Sequence, residues 1–179
     1  MNTKCVNNHE KESLAVDVMV CYTFPMRVFI AGSMSFAKEI LDVEARLRRL
    51  GFQAHCAPDT YDCFKNPHLK LNEDLDHCEE TDIIRTCMNI QKKCDAILLL
   101  NYSKDGIDGY IGSNCLIELG LAYYLRQRIF LLHAPPPPEL ARYHVEVMHM
   151  KPIILNGNLD GVVRHSNLKP EDELLEAVS

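Results

Sequence analysis

Five consecutive apolar residues, Ala96-Ile-Leu-Leu-Leu100, decide the fold class of this chain. An uninterrupted apolar run of this length is typical of a strand buried on both faces at the centre of a parallel sheet. A second β-rich run, Arg27-Val-Phe-Ile-Ala31, ends in Gly32-Ser33 and predicts another buried strand followed by a turn. Apolar residues at helical spacing follow each strand and predict covering helices.

The same alternation of strand and helix patterns continues along the rest of the chain. Further strands are predicted over 52–57, 128–133 and 152–155, and helices over 35–50, 83–94, 114–127 and 139–150. Residues 59–80 are polar and predict an irregular or partly helical segment. Strands that alternate with helices form parallel sheets covered on both sides. The sequence therefore predicts an α/β fold: a three-layer α/β/α sandwich with a mostly parallel, about five-stranded, flavodoxin- or Rossmann-like sheet.

The length of 179 residues fits one domain. We expect the core to span residues 26–160. Residues 1–25 are interpreted as an N-terminal extension outside that core, and residues 161–179 as a C-terminal tail with a short amphipathic helix near its end.

Composition restricts the partners and the compartment. A net charge of -6 argues against a nucleic-acid-binding surface, which would carry a basic face. No apolar stretch reaches the roughly 18 residues that span a bilayer, so no membrane partner is expected. The 8 cysteines lack CxxC spacing and are interpreted as reduced thiols, which predicts a cytoplasmic protein. His77, Cys78 and Cys87 have no standard zinc-ligand spacing, so no metal site is predicted.

Two loops are candidates for ligand binding, because ligands of parallel sheets bind outside the carboxyl ends of the strands. The first is Gly32-Ser33-Met34, whose amides and hydroxyl could contact an anion or a ribose. Alternatively, it is a strand-to-helix turn that needs only glycine geometry. The second is the long segment 101–113, which contains Asp108 and Gly112 as candidate substrate contacts, because long loops at strand ends are often functional. Alternatively, this segment is a plain flexible turn.

The helix after this loop carries the remaining candidates. Ser113 and Asn114 could contact sugar hydroxyls, or could serve only as helix N-caps. Glu118 lies on an apolar helix stripe close to the helix start, which predicts a partly desolvated carboxylate at the rim of the crevice. The alternative is an acid that merely favours the helix dipole.

These segments together resemble the nucleoside 2-deoxyribosyltransferase-like superfamily. The resemblance rests on Gly32-Ser33-Met34 after the first strand and on Gly109-Tyr-Ile-Gly-Ser-Asn-Cys-Leu-Ile-Glu-Leu-Gly-Leu-Ala122 before Arg128-Ile-Phe-Leu-Leu132. A subgroup of small proteins is similar also in GSMSF, in LNY…DG…YIG.N and in the ending KPIILNG. The likeness covers about residues 26–160. The superfamily includes deoxynucleoside monophosphate N-glycosidases and is distantly similar to TIR-type NAD hydrolases.

The resemblance implies a function and a mechanism. Glu118 matches the family's catalytic glutamate, which attacks the anomeric carbon of the sugar while the base leaves. The resemblance also implies a substrate-binding surface. It consists of Gly32, Ser33, Met34, Asp108, Gly112, Ser113 and Asn114. The reaction needs no cofactor and no metal, the partner is a small nucleoside or nucleotide, and a homodimer or larger homo-oligomer is expected.

Two positions depart from the family pattern. Phe29 stands where the family often has a tyrosine, and Cys87 where it has an aspartate that helps to hold or protonate the base. Asp82, Asp105 or Asp108 are candidates to replace that aspartate. Three functions therefore remain open: a nucleoside or nucleotide N-glycosidase or deoxyribosyltransferase, an NAD-cleaving hydrolase, and a nucleotide-binding or sensing protein without turnover.

Overall fold

The computed structural model describes residues 25–69, 71 and 74–166 of the chain. Within them lie five strands, which are β1 Arg27–Gly32, β2 Gln53–Cys56, β3 Ala96–Leu100, β4 Arg128–Leu131 and β5 Ile153–Ile154. The helices are α1 Ala37–Arg49, α2 Asp59–Lys65, α3 Leu75–Thr81, α4 Ile83–Gln91, α5 Ser113–Tyr124, α6 His144–His149 and α7 Asp160–Ser166. A 3-10 turn, Met34–Phe36, joins β1 to α1.

The strands form one parallel sheet in the order β2-β1-β3-β4-β5. In the central pair, Val28 of β1 lies opposite Ala96 of β3, and Gly32 lies opposite Leu100. This strand order is that of flavodoxin-like sheets. The predicted α/β sandwich with a five-stranded parallel sheet is confirmed, including the central position of the apolar run that forms β3.

The core consists of two layers, one on each face of the sheet, because alternate strand residues point to opposite faces. On one face, strand residues pack with Leu47 of α1 and Val162 of α7. On the other face they pack with Leu119 of α5 and Val147 of α6. All five residues of β3 are buried, as expected for a strand covered on both sides.

Two predicted segments differ in detail from the structure. The helix expected over 139–150 is confined to α6, because the proline run 135–138 is closed by a turn in which the Leu140 and Ala141 amides donate to the carbonyl of Pro137. The polar segment 59–80 contains α2 and α3, and the left-handed conformation of Asp82 separates α3 from α4.

The packed core extends beyond residue 160. Val162 is fully buried, and Arg46 of α1 forms a 3.0 Å ion pair with Asp160 at the start of α7. The C-terminal tail expected from residue 161 thus begins inside a core helix. The helix predicted near the end of the tail, and residues 1–24 of the extension predicted over 1–25, lie outside the described residues. In the described part of the chain, no helix has the length and apolar character needed to cross a membrane.

Candidate active site

A crevice of about 170 Å³ opens at the carboxyl ends of β1, β2 and β3. It lies where the chain order of the strands reverses between β1 and β3, the usual ligand position in sheets of this order. Its walls come from the turns after β1 and β2, the segment after β3, and α4 and α5. The lining residues are Gly32, Ser33, Met34, Ala57, Asp59, Ile83, Cys87, Lys104, Tyr110, Gly112, Ser113, Asn114, Cys115 and Glu118.

Glu118 lies in the second turn of α5 and lines this crevice. Burial raises the pKa of its carboxyl group to about 8. Among the described residues no lysine, arginine or histidine forms an ion pair with it. The carboxyl group is therefore mostly protonated at pH 7 and ionises near pH 8. Because helix-dipole stabilisation falls off beyond the first turn, the dipole alone does not account for a glutamate at this position.

The helix that carries Glu118 is fixed to α4 by a buried amide network. The Gln91 side chain donates a 2.8 Å hydrogen bond to the backbone carbonyl of Glu118 and a 3.2 Å bond to Oε1 of Gln127. Gln127 in turn donates to the backbone carbonyls of Gln91 and Cys94. Hydrogen bonds from a buried side chain such as Gln91 fix the geometry of the elements they join, so the backbone that carries Glu118 is positioned by both helices.

The predicted turn Gly32-Ser33-Met34 also lines the crevice. Ser33 caps the 3-10 turn, because its Oγ accepts from the Ser35 amide at 3.4 Å. The same hydroxyl oxygen accepts a 3.1 Å hydrogen bond from Nζ of Lys104, which comes from the segment after β3. Both predicted loops thus meet in the crevice, and a positive charge lies between them.

The segment 101–113 is fixed at its base rather than loose. Asn101 is buried, and its side chain donates to the carbonyls of His133 and Gly109 while accepting from the His133 amide. The segment brings Gly112 to the crevice. Asp108 is exposed and does not line it, so the structure separates this predicted contact residue from the others.

Ser113 and Asn114 both lie at the crevice, but not as helix caps. The N-cap of α5 is Gly112, and no side chain caps this helix. The alternative interpretation of Ser113 and Asn114 as N-caps is wrong, because the helix begins at Ser113 itself. The two side chains remain free to face a ligand at the crevice wall.

The two departures from the family pattern have different surroundings. Phe29 is fully buried in the core and offers no polar group. Cys87 lines the crevice beside Glu118, and its pKa is raised to about 12, mainly by burial and further by the charges of Glu118 and Asp59. The thiol is therefore neutral and is a weak proton donor.

Sequence reasoning did not identify three polar residues that line the crevice: Asp59, Lys104 and Tyr110. Asp59 follows β2, so the rule that ligands bind at strand carboxyl ends could have selected it. The uncertain boundaries predicted for 59–80 obscured that placement. Asp82 and Asp105, the other suggested replacements for the missing aspartate, do not line the crevice.

No group of three or more metal-binding side chains occurs among residues 25–69, 71 and 74–166. His77 instead contacts Asp59, and the Cys78 thiol donates to the carbonyl of Leu71. The cysteines described by the structure, which are Cys56, Cys63, Cys78, Cys87, Cys94 and Cys115, are free thiols.

A larger cavity of about 640 Å³ lies at the opposite, amino-terminal ends of the strands, lined by residues that include Arg27, Asp95 and Arg128. Its lining also includes Pro25 and Ser166, the first and last residues of the described chain, so its extent is not fixed by the described residues. The crevice with Glu118 is thus the better-defined candidate. Comparisons of the chain with protein-family models, with curated proteins and with solved structures find no match to any of them.

Proposed function

We propose that this protein cleaves the bond between base and sugar in a nucleoside or nucleotide, as an N-glycosidase or a 2-deoxyribosyltransferase, with Glu118 as the nucleophile. The observation that supports this most directly is the desolvated carboxyl group of Glu118 in a crevice at the strand carboxyl ends. Acids with strongly shifted pKa values in clefts are typical of catalytic sites.

The size of the crevice favours a substrate that enters it only in part. Its volume of about 170 Å³ is below the roughly 300–1,000 Å³ of pockets that enclose a whole ligand. We place the sugar over Glu118, where Asn114 and Ser33 offer hydrogen bonds to its hydroxyl groups. The base extends along the apolar surface of Ile83 and Ile117, which continues from the crevice beside Glu118.

The proposed chemistry proceeds in two displacements, as in retaining glycosidases. An ionised Oε of Glu118 forms a bond to the anomeric carbon, while the carbon–nitrogen bond breaks and its electron pair stays with the base. Water or a second base then attacks the same carbon and releases Glu118. A desolvated carboxylate is a better nucleophile than one in water, because no hydration shell must be removed.

The protonation state of Glu118 gives this proposal a characteristic pH dependence. Only the ionised form can attack, and the pKa is raised to about 8 by burial. When one group of the free enzyme must be ionised for activity, kcat/KM is proportional to the fraction of the enzyme in which that group is ionised. We expect kcat/KM to rise about tenfold per pH unit below pH 8, where Glu118 is mostly protonated.

The proposal is tested by base release from a panel of nucleosides, 2′-deoxynucleosides, their 5′-monophosphates and NAD, followed by chromatography. Glu118→Gln removes the nucleophile and keeps its size, so it should abolish base release. Glu146→Gln serves as the control, because Glu146 is an exposed helical glutamate away from the crevice. Equal turnover by the wild type and Glu118→Gln would contradict the assignment.

The same panel separates the two other functions. Release of nicotinamide from NAD would identify an NAD-cleaving hydrolase that uses the same carboxylate. A nucleotide sensor without turnover is favoured by Phe29 and Cys87, which supply neither a hydroxyl nor a carboxylate. A sensor would show ligand-dependent thermal stabilisation with no product.

We further propose that the protein is a cytoplasmic homodimer or larger homo-oligomer. The free thiols support a reducing compartment. Ile84 is exposed beside the crevice, with a relative exposure of 46%, and a second copy could cover it. Sedimentation analysis of the wild type and of a variant with Ile84→Lys tests this, since a monomeric wild type would contradict it.

A further inference from the structure

A second carboxylate lines the crevice and comes from α2. Asp59 is the first residue of α2, directly after β2, and only 13% of its side chain is exposed. Its Oδ2 lies 3.1 Å from Nε2 of His77 on α3. Only one oxygen of a carboxylate is used by such a contact, so the other remains for a ligand.

The position of Asp59 is fixed by contacts of its own helix. Tyr61 donates a 2.8 Å hydrogen bond to Oε2 of the buried Glu44 on α1, which Arg48 also pairs at 2.8 Å. The neighbouring Thr60 is fully buried. Asp59 is therefore presented to the crevice by a helix that is anchored to α1, and catalytic groups need such support.

Cys87 shares the crevice wall with both carboxyl groups. The thiol, Asp59 and Glu118 all line the same crevice of about 170 Å³. Both carboxyl groups are therefore available to one substrate that enters this crevice.

We propose that Asp59 is the acid and base of the reaction assigned above and that His77 positions it; this inference rests on the proposed function. In the first step the protonated Asp59 gives its proton to the nitrogen that receives the electron pair of the broken bond, while Glu118 binds the anomeric carbon. Nε2–H of His77 stabilises the carboxylate that remains. In the second step water attacks that carbon, its proton returns to Asp59, and the electron pair of the ester bond returns to Glu118.

The assignment of Asp59 supplies the proton donor for the departing base that Cys87 does not provide. A departing base is a poor leaving group unless it takes up a proton, and the neutral Cys87 thiol is a weak acid that supplies one poorly. Asp59 and Glu118 are the two carboxyl groups among the described residues that line the crevice. Two carboxyl groups with separate roles are the usual requirement for hydrolysis of a glycosidic bond.

The test compares two leaving groups in the full-length protein. Asp59→Asn should lower kcat for an unmodified purine 2′-deoxynucleoside by about 100-fold or more, the usual contribution of a general acid. With N7-methylated 2′-deoxyguanosine, whose base leaves without taking up a proton, the same variant should lose little activity in bond cleavage. Asp62→Asn, an exposed aspartate on the same helix, is the matched control.

His77 is tested as a positioning residue by rescue. His77→Ala should lower kcat for the unmodified substrate with little change in KM, and His77→Gln, which keeps a hydrogen-bond donor for Asp59, should restore part of it. His68→Gln is the control, because His68 is exposed.

The outcomes distinguish the two proposals. Equal losses on both leaving groups, or no loss in Asp59→Asn, would overturn the role of Asp59 while Glu118→Gln still abolishes base release. A wild type that releases no base from any substrate would overturn the proposed function and this inference together.

Discussion

At the scale of single residues, the electrostatics of the crevice centre on Glu118. A glutamate in the unfolded chain titrates near 4.5, whereas burial raises the pKa of Glu118 to about 8 in the folded protein. Well below pH 4.5 the Glu118 carboxyl group is protonated in both the folded and the unfolded protein, so its ionisation does not reduce the free energy of unfolding. As the pH rises toward 8, the unfolded chain ionises and the folded protein does not, so stability falls.

Glu118→Gln should therefore stabilise the protein increasingly with pH. We expect a gain of on the order of 2–3 kcal/mol at pH 7, since each unit of pKa shift corresponds to about 1.4 kcal/mol. Urea unfolding of both proteins at pH 5 and pH 8.5 measures this, and the gain should be larger at pH 8.5. Glu146→Gln, at an exposed helical position, is the control. A gain from Glu118→Gln that is equal at both pH values would contradict the desolvation of this carboxyl group.

Lys104 is the second residue whose role can be measured alone. Its ammonium group lies 3.1 Å from the Ser33 hydroxyl at the crevice wall, where a 5′-phosphate could displace that contact. Lys104→Met should weaken binding of a deoxynucleoside monophosphate about tenfold or more, because hydrogen bonds to charged groups contribute about 1.5–3 kcal/mol. Binding of the unphosphorylated nucleoside should change little.

Isothermal calorimetry with both ligands measures the two affinities. Lys38→Met is the control, since Lys38 pairs with Asp42 on the surface of α1. Equal weakening of both ligands by Lys104→Met would exclude a phosphate contact.

At the scale of elements, the segment 101–113 depends on one close contact. Gly109 has φ +68°, and a Cβ at this position would overlap the backbone carbonyl of Ala134. Gly109→Ala should therefore destabilise the protein by about 2–4 kcal/mol through backbone strain and overpacking. Gly106→Ala, at φ +77° with no atom within 4 Å of the added Cβ, isolates the backbone cost and should lose only about 1 kcal/mol. Denaturant unfolding compares the two, and equal losses would show that the Ala134 contact carries no strain.

The accuracy of prediction from sequence also differs from element to element. β1 and β3 can be predicted from the sequence because a strand buried on both faces consists mainly of consecutive apolar residues. Ala96–Leu100 is such a run, and it can be recognised without knowledge of distant parts of the chain. The predicted start of the helix over 139–150 was wrong. The carbonyl of Pro137 accepts hydrogen bonds in a turn, and the spacing of apolar residues does not reveal this turn. Asp59 was missed for a related reason: its place in the crevice depends on α2 and α3, two short helices in a polar segment.

At the scale of the whole molecule, the strand order explains why the candidate residues meet. Reversal of the chain order between β1 and β3 opens a gap in the helical layers at the strand ends, since the connections from these two strands leave in opposite directions. The turn after β1 and the segment after β3 form its walls, and the helix that follows that segment presents Glu118. The sequence predicted most of the segments that line the crevice. The order of the strands brings these loops together even when their exact bounds are not known. The side-chain contacts within the crevice were not predictable, since they depend on packing between distant elements.

The extent of the folded unit is the last property that the whole molecule determines. Val162 of α7 is fully buried in the layer that contains Leu47 and Phe130, although it lies beyond the core boundary expected at residue 160. Val162→Ala should therefore destabilise the full-length protein by about 1–2 kcal/mol, since each buried methylene group contributes about 0.8 kcal/mol. Val163→Ala, at 36% exposure, should have little effect. Urea unfolding of the wild type and both variants provides the measurement. If Val162→Ala were as stable as the wild type, α7 would contribute little to the core and the boundary at residue 160 would stand.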